Sequence, residues 1–370
     1  MLGNLKDNDW WVRKETARKL LAYHEDLYLS DLEKWLRNGK DAVLRNASME
    51  TYKELGERAL GPLVFFLGDE DSDVRIFAAN VLGEIKSPAA LQALVKALQD
   101  PDDNVRSAVI EALGKIGDPR AVDPLTALLG TMPWIAMAAI EALGRIGGEK
   151  ALSALYECLE NPGYSGMACS ALEKAGDRNS IKRLDPLMDR DDIKELVLQT
   201  IVGIAEREKV DLLPSQFSCD IAQLTAWLNS PRDGVRRAAF IALSWSGDSG
   251  GLPYFLKAFQ DDLLLEHAVK GLLSLGDRAV PAIVRAMQQP CRNKGMLAKV
   301  LAMIGAKEEL MPFAGDEDNE VRAEVALAIG QLRTPEAAGA LRVLSRDPIE
   351  EVRAAALLSL RNSEREECHT

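Results

Sequence analysis

Residues 102–119 read DDNVRSAVIEALGKIGDP, and this phrase decides the fold because the chain repeats it. The pair Val105-Arg106 opens the phrase, and the same pair recurs at Val74-Arg75, Val235-Arg236, Val321-Arg322 and Val352-Arg353. A unit of about 30 residues that recurs along a chain is typical of repeat proteins, in which each unit buries its apolar face on its neighbours. The sequence therefore predicts a stack of small helical hairpins.

The arginine of the Val-Arg pair serves as an anchor for the register of the repeats. A glycine or its substitute follows the anchor after eleven residues, as Gly117 follows Arg106. This offset gives twelve anchors, at Arg13, Arg45, Arg75, Arg106, Ala136, Ser165, Lys194, Arg236, Leu265, Lys294, Arg322 and Arg353. Successive anchors lie 28–32 residues apart, except for one interval of 42. We therefore predict about twelve repeats.

The long interval between Lys194 and Arg236 sets the predicted organisation of the chain. It contains about a dozen additional residues, which we place in an insertion between repeats. The insertion is either a longer loop or helix without a role of its own, or a projecting contact element or seam between two arrays. The predicted segments are repeats one to seven in 1–205, the insertion at 206–217, repeats eight to twelve in 218–363 and a polar tail at 364–370.

Each repeat combines the signals of a helix start, a buried helix face and a helix end. Acidic residues such as Asp102 precede the anchor and supply oxygens for the free amides of a helix start. Apolar residues from Val105 to Ile116 recur at helical spacing and predict one broad buried face. Gly117 suits the left-handed residue just past a helix end. Glycines eight residues past the anchor, which cost about 1 kcal/mol each in a helix, predict close packing of neighbouring repeats; they are Gly83, Gly114, Gly144 and Gly330.

The stretch from Val105 to Leu125, VRSAVIEALGKIGDPRAVDPL, resembles the repeats of the HEAT superfamily. It is most similar to their short bacterial and archaeal type, first noted in phycobilisome lyases. The resemblance covers nearly the whole chain and implies an all-α fold, a right-handed α-α superhelix (solenoid) of about twelve HEAT-like helical hairpins. It also implies a non-catalytic protein–protein interaction scaffold, since most of the superfamily acts in this way and few branches are enzymes.

The composition favours a scaffold over a nucleic-acid or membrane protein. Hydrophobic residues make up 47% and aromatic residues 5% of the chain, which predicts a core of small aliphatic side chains. The formal net charge of −12 argues against broad binding of phosphate backbones. We expect no signal peptide, and no window approaches the ~18 apolar residues of a membrane span. Five cysteines without a motif spacing predict reduced thiols in a cytoplasmic protein.

No catalytic residue, metal site or cofactor is predicted, because the side chains that such sites need do not converge. The histidines are His24, His267 and His369. A branch of the superfamily, deoxyhypusine hydroxylase, holds a di-iron centre with several His-Glu pairs, whereas here only His24-Glu25 has that order. No cysteine has a neighbouring histidine, so nucleophilic catalysis is not expected either.

Two other functions of the superfamily stand as alternatives to a scaffold. The first is a bilin lyase-like enzyme or a tetrapyrrole-handling chaperone, and it is suggested by the repeat type alone. The second is nucleic-acid binding, as in a HEAT-like DNA glycosylase family. The six tryptophans fall at different phases of the repeat and form no stacking track, so the sequence does not favour nucleic acid.

The second helix of each hairpin in this superfamily lines the concave face, and the register predicts which residues lie there. We define the lane as the positions five residues past each anchor, which run from acidic, as at Glu111 and Glu141, through neutral to basic, as at Lys270 and Lys299, and end apolar at Leu327 and Leu358. The apolar residues one position earlier are expected to be partly exposed and to mark a contact surface. The lane is either a solvated face whose charges vary by chance or a groove for one protein partner. The predicted partner-binding residues are Asn80, Ile110, Glu111, Ile140, Glu141, Ser170, Gln199, Lys270 and Lys299.

The anchor arginines are predicted to be structural and not to bind a partner. Each one follows an acidic turn, and we expect its guanidinium to hydrogen-bond the turns of its own and the preceding repeat. The predicted structural anchors are Arg75, Arg106, Arg236, Arg322 and Arg353.

Overall fold

The computed structural model describes residues 42–210, 220–259, 264–332 and 334–367, together with 32–37 and the positions 9, 11, 12, 15, 16, 19 and 212. All regular secondary structure in these residues is helical, and none of it is strand. The predicted all-α repeat fold is therefore confirmed. The chain divides into two compact units, one of residues 1–184 and 190–204 and the other of residues 185–189 and 205–370.

In the first unit, long helices that carry the anchors alternate with short helices. The long helices, called anchor helices below, are α1 (Ala42–Leu55), α3 (Ser72–Ile85), α5 (Asp103–Ile116), α7 (Pro133–Ile146), α9 (Ser165–Ala175) and α11 (Lys194–Arg207). The short helices are α2 (Leu60–Phe66), α4 (Leu91–Ala97), α6 (Val122–Thr126), α8 (Gly148–Cys158) and α10 (Arg178–Leu184). Consecutive anchor helices from α1 to α9 pack side by side, and each of the short helices α2, α4, α6 and α8 packs on the anchor helix that follows it.

The second unit repeats this alternation. Its anchor helices are α13 (Asp233–Ser246), α15 (Leu265–Leu275), α17 (Lys294–Ile304), α18 (Asn319–Ile329) and α20 (Glu350–Glu367). Its short elements are α12 (Ile221–Trp227), α14 (Leu252–Ala258), α16 (Val280–Met287), a 3-10 helix (Glu308–Phe313) and α19 (Pro335–Leu344). Each anchor helix packs on the next one in the series.

Parts of the predicted organisation lie outside the described residues. These parts are the first anchor at Arg13, the histidines His24 and His369, and half of the insertion at 206–217. Of the insertion, α11 covers the first two residues. The four predicted segments, 1–205, 206–217, 218–363 and 364–370, stay a prediction.

The helix ends follow from the local sequence. The Asp102 carboxylate accepts hydrogen bonds from the backbone amides of Asn104 and Val105 at the start of α5, which is the predicted capping role. Gly117 ends the same helix with φ at 73°, in the left-handed region that glycine adopts without strain. Gly176 differs, since its φ is −67°. A Cβ there would lie 2.6 Å from the Leu172 carbonyl oxygen, so this position requires glycine for space and not for its backbone conformation.

The core of each unit contains a row of aliphatic side chains seven residues past each anchor. These side chains are fully buried because the anchor helix is covered there by the helices on both sides of it. They are Leu82, Leu113, Leu143 and Leu172 in the first unit and Leu243, Leu272 and Leu301 in the second. The row confirms the predicted buried face.

Neighbouring anchor helices approach each other closely at the helical glycines. A Cβ added to Gly83 would lie 2.8 Å from the Cα of Ala112, and one added to Gly144 would lie 2.8 Å from the Cβ of Ala171. Real Cβ atoms do not approach other atoms this closely, so only glycine fits. The predicted reason for these glycines, close packing on the next repeat, is confirmed.

We expect Gly114→Ala to lower the free energy of unfolding by about 1–3 kcal/mol, although alanine is the better helix former by about 1 kcal/mol. The added methyl group would lie 3.0 Å from both the Cα and the Cβ of Ala142 on α7. The matched control is Gly339→Ala inside α19, where nothing lies within 4 Å of the added atom. The control should be neutral or stabilising. Urea denaturation measures both variants, and an equal effect of the two would contradict the close packing.

Candidate functional site

Each anchor helix in the middle of a unit exposes one line of side chains. On α5 the most exposed member of this line is Glu111, flanked one turn away on either side by the half-buried Ser107 and Lys115. The other sides of α5 contact α4, α3 and α7. Positions one, five and nine residues past the anchor form this stripe in the repeats of Arg106 and Ala136, and the lane is the middle position of the stripe. The lane is interrupted at Ile241, five residues past Arg236, since that side chain is fully buried.

The prediction that Ile110 and Ile140 are partly exposed is wrong, since both side chains are fully buried. They lie four residues past their anchors, one helical turn before Gly114 and Gly144. Those glycines contact the next anchor helix, so the isoleucines point to the same side and are covered by it. The positions of Gly114 and Gly144 in the sequence could have indicated that Ile110 and Ile140 are buried. Ile110 and Ile140 are thus core residues and not partner-binding residues.

The lane carboxylates of the first unit are exposed, and each forms an ion pair with a basic residue of the same stripe. The side chains of Glu111 and Glu141 are 49% and 53% exposed. Glu111 pairs with Lys115 at 2.9 Å, and Glu141 pairs with Arg145 at 2.8 Å. Lys115 also pairs with Glu84 at 2.8 Å and lowers the pKa of that carboxyl group. The charge of these carboxylates is therefore largely balanced within the chain.

The other predicted lane residues of the first unit differ in exposure. Asn80 and Gln199 are half-buried, and Ser170 is exposed. The Gln199 side chain donates a hydrogen bond to the Glu195 carbonyl oxygen at 3.3 Å, one turn earlier on α11. Ser170 therefore presents the more accessible polar group.

In the second unit the exposed stripe changes from charged to apolar. Lys270 pairs with Glu266 at 3.4 Å, and Lys299 is exposed. Met303, Leu327 and Leu358, on the consecutive anchor helices α17, α18 and α20, are 60%, 42% and 53% exposed. We call these three side chains the apolar stripe. Leu327 and Leu358 lie at predicted lane positions. Met303 does not, since it lies nine residues past its anchor, at a position of the exposed stripe that was not predicted.

Arg75 shows how an anchor ties two repeats together. Its Nη1 donates to the carbonyl oxygens of Asp69 and Glu70, in the turn before its own helix, at 2.9 and 3.2 Å. Its Nε and Nη2 donate to the two carboxylate oxygens of Asp100, in the turn of the following repeat, at 2.8 and 2.9 Å. The two side chains are 11% and 7% exposed. The hydrogen bond to Asp100 raises the pKa of Arg75 above its ordinary value.

Arg322 repeats this arrangement in the second unit. Its Nη1 donates to the carbonyl oxygen of Asp316 at 2.8 Å, and its Nε and Nη2 donate to the Asp347 carboxylate at 2.7 and 3.0 Å. The guanidinium holds the pKa of Asp347 below its ordinary value. In both cases the carboxylate belongs to the following repeat, whereas the predicted partner was the turn of the preceding repeat. The following turn is the one that reaches the guanidinium.

Two other anchors, Arg106 and Arg236, have no carboxylate at the corresponding position of the following turn. Arg106 and Arg236 form ion pairs with Asp103 and Asp233, three residues earlier on their own helices. In the repeat after Arg106, the position of Asp100 is taken by Gly130. Like Arg75, these anchors and Arg353 donate hydrogen bonds to backbone carbonyl oxygens in the turn before their own helix. The bonds run from Arg106 to Asp100 at 3.2 Å, from Arg236 to Ser230 at 2.6 Å, and from Arg353 to Asp347 at 2.7 Å and to Pro348 at 2.8 Å.

His267 lies in a charged group of the second unit. Its Nε2 is 3.5 Å from the Glu206 carboxylate, to which Arg237 donates two hydrogen bonds of 2.6 and 2.7 Å. Its Nδ1 is buried and has no hydrogen-bond partner among the described residues. Burial lowers the pKa of His267, and this effect outweighs the opposite effect of Glu206. The imidazole is therefore neutral at pH 7.

Two of the described cysteines lie in the core. Cys158 and Cys169 are buried, and burial raises the pKa of the Cys158 thiol to about 11, which opposes formation of a reactive thiolate. In the described ranges, no three histidine, cysteine or acidic side chains come together as metal ligands would. None of the described helices has both the length and the hydropathy needed to cross a bilayer.

The comparisons with known families agree with the repeat register. Residues 62–134 and 290–361 match the model of HEAT repeats, and residues 135–161 match the model of the PBS lyase HEAT-like repeat. No curated protein matches the chain.

Among solved structures, a chain in a structure of Kap95p with RanGDP is similar over 99% of this chain and 62% of its own length, with 13% identity and a TM-score of 0.57. An engineered protein matches with 19% identity and a TM-score of 0.42, over 90% of this chain and 98% of its own. A structure of CpcE and CpcF of phycocyanin lyase from a Nostoc species matches with 21% identity and a TM-score of 0.35, over 62% of this chain and 92% of its own. At this identity the first likeness shows the fold alone.

Proposed function

We propose that this chain, which belongs to the HEAT-repeat family, is a non-catalytic scaffold that binds a segment of a partner protein along the apolar stripe. The observation that carries the proposal is the exposure of Met303, Leu327 and Leu358 on three consecutive repeats. Large apolar side chains that are exposed singly need no explanation, but exposed apolar side chains in a contiguous row are typical of interaction sites. A cytoplasmic location, predicted from the cysteines, is part of the proposal.

The chemistry of the stripe fits an amphipathic helix with an acidic end. The axes of neighbouring anchor helices that pack side by side lie about 8–10 Å apart. Apolar side chains seven positions apart on a partner helix are separated by roughly 10 Å, because a helix rises about 1.5 Å per residue. Such a partner helix places one apolar side chain on each anchor helix. Lys299 is exposed on α17, next to the apolar stripe. Its charge favours acidic residues at one end of the partner segment and would fix its direction and speed its association.

The lane of the first unit is proposed as a secondary contact surface. Its predicted contact residues are Asn80, Glu111, Glu141, Ser170 and Gln199. Because Glu111 and Glu141 already pair with basic residues of the chain, a partner must compete with those pairs. We therefore place most of the binding free energy on the apolar stripe, where burial of exposed apolar area contributes directly.

Affinity capture from the native host with two matched variants tests the proposal. The test variant is Met303→Ser with Leu327→Ser and Leu358→Ser, and the control is Phe65→Ser with Val343→Ser, which removes apolar side chains that are 72% and 73% exposed on the short helices. We expect the wild-type chain and the control to capture the same protein and the test variant to lose it. Capture by all three chains would place the interface away from the apolar stripe.

A further inference from the structure

A cavity of about 410 Å³ lies in the first unit, between the short helices α4 and α6 and the start of α7. Polar and apolar atoms contribute about equally to its walls, and the apolar side chains include Val95, Leu98, Leu128 and Ile135. A volume of this size falls at the lower end of the range for sites that hold small molecules. Of the side chains that line the cavity, all of them described, only that of Arg106 carries a charge.

Arg106 is also an anchor without the carboxylate that other anchors bind. The guanidinium groups of Arg75 and Arg322 each bind both oxygens of an aspartate in the following turn. The corresponding position for Arg106 is Gly130, and the cavity is present at this place in the fold. The Nη2 of Arg106 instead pairs with Asp103 on the same helix, whose side chain is 41% exposed. An exposed ion pair of this kind contributes little and is readily exchanged.

We propose that this cavity binds a carboxylic acid with an apolar body, whose carboxylate takes the place of the missing aspartate on Arg106. The guanidinium would exchange Asp103 for the two ligand oxygens, in the geometry that Arg75 forms with Asp100. The apolar body would lie among Val95, Leu98, Leu128 and Ile135. The acid is either a free small molecule or the carboxyl terminus of a peptide that ends in an apolar residue, since both present the same group.

A substitution at Gly130 would supply the missing carboxylate from the chain itself. Gly130 has a backbone conformation open to any residue, and nothing lies within 4 Å of a Cβ added there. In Gly130→Asp the new carboxylate stands at the repeat position of Asp100 and Asp347, six residues before an anchor. We expect this variant to be at least as stable as the wild-type chain and to exclude the ligand. Gly130→Asn adds nearly the same volume without the charge, and serves as the control.

Isothermal titration calorimetry on the full chain tests the proposal, with octanoate and an acetylated Ala-Leu-Leu peptide as probes and 1-octanol and the amidated peptide as uncharged controls. We expect at least one carboxylate probe to bind, its uncharged control to bind at least about ten-fold more weakly, and Gly130→Asp and Arg106→Met to reduce binding to a similar extent. Gly130→Asn should retain binding. A signal from octanoate alone identifies a free acid as the ligand, and a signal from the peptide alone identifies a carboxyl terminus.

Three results would overturn the proposal. The first is that neither carboxylate probe binds, and the second is that the uncharged control binds as tightly as its acid. The third is that Gly130→Asp keeps full affinity while its melting temperature shows that it is folded.

Discussion

Replacing Arg75 by methionine should lower the free energy of unfolding by about 2–3 kcal/mol, because the change leaves the Asp100 carboxylate with little solvent and without its guanidinium. Both side chains are nearly inaccessible, and four hydrogen bonds join Arg75 to two consecutive turns. The matched control is Arg145→Met, which removes an exposed pair with Glu141 and should cost less than about 0.5 kcal/mol. Urea denaturation followed by circular dichroism measures both.

A second variant tests whether the loss of stability in Arg75→Met comes from the hydrogen bonds between repeats or from a local effect of the substitution. Asp100→Asn removes the charge that Arg75→Met leaves without a partner. The double variant should therefore be less destabilised than the sum of the two single variants. Equal losses from Arg75→Met and Arg145→Met, or strict additivity of the pair, would show that the anchors do not hold neighbouring repeats together.

Replacing Leu327 by glutamate should weaken the binding of the captured partner by about 100-fold, as removal of a central apolar contact does at other interfaces. Leu327 lies between Met303 and Leu358 on the apolar stripe, and the new carboxylate would also repel an acidic partner segment. The control is Val343→Glu on α19, which changes an equally apolar and more exposed residue. We expect the control to bind like the wild-type chain.

The measurement is a binding isotherm for each purified variant, with circular dichroism as the check on folding. A folded Leu327→Glu chain with unchanged affinity would contradict the assignment of the interface. A loss in both variants would indicate a response to added negative charge and not to the position of the side chain.

The repeat fold could be predicted from the sequence because its signals are local. The offset from Arg106 to Gly117, the acidic cap at Asp102 and the apolar spacing of α5 each depend only on residues within one helix. The reason for Gly83 and Gly144 was also within reach, since a glycine in the middle of a helix needs an explanation and close packing is the usual one. These features can be predicted without knowing which side chains the neighbouring repeat presents.

The site could be predicted only in part, because exposure depends on which neighbour covers each side of a helix. Ile110 and Glu111 are consecutive in the chain, yet one is fully buried and the other is exposed. Apolarity alone could not show whether Ile110 belongs to the core or to a contact surface. Gly114 could have settled this, since it marks the side that faces the next helix one turn later.

The partner of an anchor arginine is likewise a property of the packed repeats. The sequence shows an acidic turn on either side of Arg75, and only the structure decides that Asp100 of the following turn is bound. The absence of an aspartate at Gly130 was visible in the register. That a cavity lies at that place depends on the volumes of side chains from four α-helices, which no local pattern contains.

Photo-crosslinking in cells of the native host tests the central claim, that the apolar stripe binds a protein, most directly. A photoreactive phenylalanine derivative is placed at Leu327 in one chain and at Val343 in another, and the crosslinked products are compared after irradiation. We predict one discrete protein adduct from Leu327 and none from Val343. An adduct from Val343, with none from Leu327, would contradict the account.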